Sequence, residues 1–139
     1  FDNAAVRFPD SAFVAPDGVT IIPETYDIGR CAALFPAVPG GKMYASDEIQ
    51  KRTLEMDVDS RGLLSSPRLF SPRGETTNAV DKEGNIYIAE GQIFVFDKSG
   101  KELRRINLEE RPLSMTFGGT DGNTLFVTTE TSLYGVRIR

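Results

Sequence analysis

Histidine is absent from the 139 residues and cysteine occurs once, as Cys31. The side chains left to do chemistry are carboxylates, basic groups, amides and hydroxyls. A Ser-His-Asp triad, a Cys-His pair and a histidine-ligated zinc site are therefore excluded within this chain. Any reaction would rest on acid–base carboxylates or on an oxygen-ligated cation. The most regularly placed acids are Glu24, Asp47 with Glu48, Glu90 and Glu130, each at or just after the end of a short apolar run. Acids in such places more commonly guard sheet edges than bind ligands. Two arginines, Arg30 and Arg73, stand shortly before apolar runs. They are the candidates for holding an acidic or hydroxylated ligand by charge-assisted hydrogen bonds, against the plainer reading as solvated turn residues. Cys31 beside an apolar run reads as a core residue, since no histidine is present to activate its thiol.

The elements that must position these groups are clearest in residues 75–108, which read as one unit. Strands are expected at 77–80, 85–89, 92–96 and 102–106, separated by Asp81-Lys82-Glu83-Gly84, Glu90-Gly91 and Asp97-Lys98-Ser99-Gly100. Each turn has glycine at or near its tightest point. The second and third strands are apolar on both faces: Ile86 and Ile88 against Tyr87 and Ala89, then Ile93 and Val95 against Phe94 and Phe96. A meander covered on both faces needs a sheet above and a sheet below it, as in one blade of a β-propeller. A β-sandwich is the alternative, but its outer faces should be polar and its alternation cleaner.

The unit repeats. Counting back eight places from the turn glycines Gly18, Gly40, Gly84 and Gly122 aligns four strand-turn segments, which start at Asp10, Ala32, Thr76 and Ser114. Spacing near 40 residues suits four-stranded blades. The first interval, Gly18 to Gly40, is about half that length, so the first blade is expected to be truncated or joined to pieces not adjacent in the parent protein. The expected fold is all-β: about three blades of four-stranded antiparallel meanders, with a partial blade at 1–30, blades at 31–74 and 75–111, and an incomplete last blade at 112–139. Propellers close with four to eight blades, so the ring is expected to need the rest of a larger propeller or a second copy of the chain.

Composition narrows the function classes. With 40% hydrophobic and 26% charged residues and a net charge of −4, this is a soluble globular chain. Its basic residues are scattered, which offers no nucleic-acid surface. No apolar run is long enough for a membrane span. A start at Phe1 fits a processed or excised product. The single cysteine leaves the compartment open, a secreted or periplasmic one included.

The closing segment 117–139, FGGTDGNTLFVTTETSLYGVRIR, resembles the chain end of the senescence marker protein, gluconolactonase and luciferin-regenerating family. The phrases AVDKEGNIYIA (79–89) and VFDKSGK (95–101) look like that family's penultimate blade. KMYASDE (42–48), MDVD (56–59) and RLF (68–70) look like the blade before it. The resemblance implies a six-bladed propeller with a divalent metal, calcium or zinc, in its central channel, and hydrolysis of a sugar lactone. The cation would polarise the lactone carbonyl while an acid manages the attacking water.

Carried over residue by residue, the family's metal-binding asparagine of a Pro-Asn-Gly phrase falls on Ala32. The aspartate of a Ser-Asp-Gly phrase falls on Thr76, with Glu75 one place earlier. Asp10 keeps a suitable oxygen at a matching position and is the expected metal ligand. Alanine offers no donor and threonine is a poor ligand for a hard cation, so the expected metal site is altered. Arg30, Arg73, Glu75 and Thr76 are the expected substrate-binding residues. Two functions remain open: a gluconolactonase-like hydrolase acting on a sugar lactone or related carbohydrate, or a non-catalytic propeller that binds a carbohydrate or a protein partner.

Overall fold

A computed structural model describes residues 11–14, 21–24, 28–35 and 41–139. Among the described residues, four antiparallel sheets follow one another in chain order. The first pairs β1 (Ser11–Val14) with β2 (Ile21–Glu24). The second is a meander of β3 (Cys31–Phe35), β4 (Lys42–Asp47), β5 (Arg52–Val58) and β6 (Leu64–Ser71). The third repeats it with β7 (Asn78–Val80), β8 (Ile86–Glu90), β9 (Gln92–Phe96) and β10 (Glu102–Ile106). The fourth holds β11 (Ser114–Gly118), β12 (Thr124–Thr128) and β13 (Leu133–Arg137).

The turns explain why the chain reverses where it does. Asp81 Oδ1 accepts the backbone N–H groups of Glu83 at 2.9 Å and Asn85 at 2.8 Å, and the Gly84 N–H donates to the Asp81 carbonyl at 3.0 Å. Gly84 then takes φ +86°, a conformation that side-chain-bearing residues rarely adopt. The same aspartate-led turn recurs at Asp59 and Asp97.

Both faces of β8 and β9 are buried, as their composition predicts. Tyr87, Ala89, Ile93 and Val95 form one core with Met115, Leu125 and Val127 of the fourth sheet. Ile86, Ile88, Phe94 and Phe96 form a second core with Tyr44 of the second sheet, and Phe70 packs on it. Phe70 sits edge-on between Tyr44 and Phe96, at 5.1 and 6.0 Å between ring centroids. The outermost strands β6 and β10 are mostly exposed. The innermost strand β7 lies against β11 on one side and β3 and β4 on the other. First strands gathered together and last strands facing water are the arrangement of propeller blades about one axis, not of two facing layers.

Candidate functional site

The chain reaches β3, β7 and β11 through short approach segments, and at each of these three a carboxylate ties that segment or a neighbouring turn in place. Before β3, Asp47 accepts the N–H groups of Gly29 at 2.9 Å and Arg30 at 3.2 Å, and those of Ile49 and Gln50 at 3.1 Å. Burial by itself would raise the Asp47 pKa, but the four backbone donors outweigh it and hold the carboxyl below its ordinary range. Before β7, Glu90 accepts the Gly74 N–H and an Arg73 guanidinium N–H, both at 2.9 Å. Gly74 has no room for a side chain, because a Cβ there would collide with the Arg52 carbonyl. Before β11, Glu110 accepts from the hydroxyls of Thr129, Thr131 and Ser132 and from the Thr131 N–H.

Between these clasps runs a chain of charges across three blades. Arg30 Nε lies 3.1 Å from Glu48, and Glu48 Oε1 lies 3.6 Å from Arg111 Nη2. The same Arg111 nitrogen lies 3.0 Å from Glu75 Oε1, while Arg111 Nε donates to Glu75 Oε2 at 3.1 Å. Glu75 also receives the Lys51 ammonium at 2.6 Å and the Gly91 N–H at 3.1 Å. Lys51 holds φ +51°, a strained backbone for lysine, at the turn that sets its ammonium over Glu75. Burial would raise Glu75, whose side chain is 14% exposed. Lys51, Arg111 and the Gly91 N–H outweigh that effect and hold it ionised below the usual carboxylate range.

The structure brings two of the sequence-predicted residues, Arg30 and Glu75, into this network. Arg73 is engaged elsewhere, its guanidinium carbon 3.8 Å from the centre of the Phe94 ring and its Nη1 on Glu90. Thr76 donates its hydroxyl to the Pro112 carbonyl at 2.7 Å, which links the approaches to β7 and β11. Ala32 sits in a β-bulge, where the β3–β4 register shifts between Cys31 and Ala33. Asp10 lies outside the described residues. The strand-end acids Asp47 and Glu90 are clasps, which favours their edge-and-turn reading. Sequence reasoning missed Glu110 and Arg111, which stand in the charged run 102–111. β10 stops at Ile106, and Glu110 and Arg111 belong to the approach to β11. The signal was available, since Arg111 stands as far before Ser114 as Arg73 stands before Thr76.

A cleft of about 480 Å³ opens beside this network, lined by Glu110, Arg111, Leu113 and Glu130. Another, of about 350 Å³, is lined by residues of the turn that begins at Asp81, together with Arg104, Phe117 and Asn123. Its Asp81 already accepts from Asn85 and Tyr87.

The profile of the SMP-30/Gluconolactonase/LRE-like region matches residues 38–131. The chain belongs to this family. No curated protein sequence matches it. Solved structures do: a structural-genomics target provisionally named a gluconolactonase is 25% identical, with a TM-score of 0.77 over 91% of this chain and 44% of its own. A gluconolactonase from Xanthomonas campestris is 22% identical, with a TM-score of 0.77 over 92% of this chain and 44% of its own. A calcium-binding protein, regucalcin, from Agrobacterium tumefaciens is 23% identical, with a TM-score of 0.70 over 87% of this chain and 45% of its own. The chain thus spans less than half the length of the family structures it matches.

The family resemblance implies a divalent metal, and the described residues do not fit one. Ala32 has no donor atom, and the Thr76 hydroxyl is committed to Pro112. Glu75 faces two cations and a backbone N–H. Among the described residues no three acids, cysteines or histidines converge. A hard cation needs several oxygen ligands with negative charge to spare, and here that charge is already neutralised.

Proposed function

We propose that the complete protein is a ligand-binding member of the SMP-30/gluconolactonase family, taking a sugar lactone or related carbohydrate at the end of the propeller marked by Glu75, Thr76 and Arg111. On this reading the present chain does not supply metal-dependent hydrolysis. The observation carrying it is the Thr76 hydroxyl bound to the Pro112 carbonyl, at the position where the family resemblance places a metal-binding aspartate. A rim of alternating acids and bases suits sugar hydroxyls, each of which both donates and accepts. The adjoining cleft of about 480 Å³ is within the range of small-molecule sites.

Family membership itself favours a second reading, a gluconolactonase-like hydrolase with an altered metal site that keeps Asp10 as a ligand. The two separate in a pair of measurements on the full-length protein, lactone binding by calorimetry and ring opening of gluconolactone followed above the spontaneous rate. The binding reading expects heat of lactone binding in calorimetry and no stimulation by calcium or zinc. Stimulation by either metal, abolished in Asp10→Ala, would establish the hydrolase instead.

A further inference from the structure

The disagreement between the implied metal and the residues present has a structural counterpart in Arg111. One guanidinium nitrogen lies 3.0 Å from Glu75 and 3.6 Å from Glu48, carboxylates from two neighbouring blades, while the arginine comes from a third. We propose that Arg111 is the resident cation of this channel end, a protein-borne positive charge joining three blade approaches where carboxylates would otherwise face one another across a gap. The inference rests on the propeller arrangement and on the failed fit to a metal, and is independent of whether the ligand is a carbohydrate.

Three features support it. The Nε–Nη2 edge of Arg111 meets both Glu75 oxygens, a paired geometry that lysine cannot reproduce. Arg30 and Lys51 flank the network, so Glu48 and Glu75 each have two basic partners and the five side chains together carry one net positive charge. Lys51 reaches Glu75 from the β4–β5 turn, where its backbone takes φ +51°. Together these leave no negative charge for an added divalent ion while Arg111 is in place.

The test uses thermal melting of the full-length protein after chelator treatment, with and without millimolar calcium chloride. Arg111→Met removes the guanidinium that Glu48 and Glu75 share, leaving each acid with one basic partner and Glu48 Oε1 open to another cation. It is expected to melt several degrees below the wild type and to regain part of that loss with calcium, since a cation that binds the folded state stabilises it. Arg111→Lys, which keeps a charge, is expected to show a smaller loss and no calcium gain beyond that of the wild type. If Arg111→Met is too unstable to purify, Arg111→Gln carries the same comparison. A calcium gain no larger than the wild type's in the neutral variant would overturn the proposal, as would an unchanged melting temperature. Lactone binding is read separately, so failure of the carbohydrate reading would leave this result standing.

Discussion

Glu110 gathers four hydrogen bonds from the turn after β12, and the hydroxyls of Ser132 and Thr129 contribute most to pulling its pKa down to about 2 from an ordinary 4.5. A carboxyl whose folded pKa lies below its unfolded value stabilises the fold above the unfolded pKa, and the benefit disappears as pH falls through the folded one. Asp47 and Glu75 are shifted in the same direction. The melting temperature is therefore expected to fall as pH drops from about 4.5 toward 2, and Glu110→Gln should be less stable than the wild type at neutral pH and show a shallower fall. Calorimetric scans across that range check it; an equally steep fall in Glu110→Gln would remove Glu110 from the account. The clasping role was only partly legible in the sequence. Asp47 and Glu90 could be picked out as acids ending apolar runs, whereas Glu110 and Arg111 sit in a charged stretch whose first half really is a solvated strand.

At the scale of elements, the strands were largely legible because short β-branched and aromatic runs alternate with aspartate–glycine turns. β9 and β10 fall where the residue pattern puts them, and β7 and β8 differ by a residue at their ends. The repeat register was less transferable. Thr76 lies before β7, Ser114 begins β11, and Ala32 lies inside β3 at a bulge, so equal counts from a turn glycine do not reach one structural position. A bulge inserts a residue without leaving a mark in the hydrophobic pattern. The burial gradient gives a sharp expectation for urea denaturation. Ile88→Ala, in the core between two blades, should cost about 2–5 kcal/mol. Leu103→Ala, on exposed β10, should stay within about 0.5 kcal/mol. Comparable losses at both sites would contradict the blade packing.

For the whole molecule, the fourth sheet presents Met115, Leu125 and Val127 to its neighbour and turns Phe126 and Leu133 outward, the latter 71% exposed. The outer edge of β13 pairs with no strand among the described residues. An apolar face beside an open edge favours association with another sheet. The proposed occupant is the remainder of a ring or a second copy of this chain. Expressed alone, the 139-residue chain should sediment as more than one copy, and Leu133→Lys should reduce that association. A monomeric chain at micromolar concentration would count against it.

Residue types and their alternation by themselves determined that this chain forms antiparallel meanders buried on both faces, because the side-chain period of a strand and the demands of its turns are local. They also excluded histidine-based chemistry from the residues of this chain. Only the tertiary structure decided that Arg73 is engaged by Phe94 and Glu90 while Arg111 joins Glu48 and Glu75. Which charges meet depends on how separate blades converge on one axis, and residues far apart in sequence carry no local trace of that meeting.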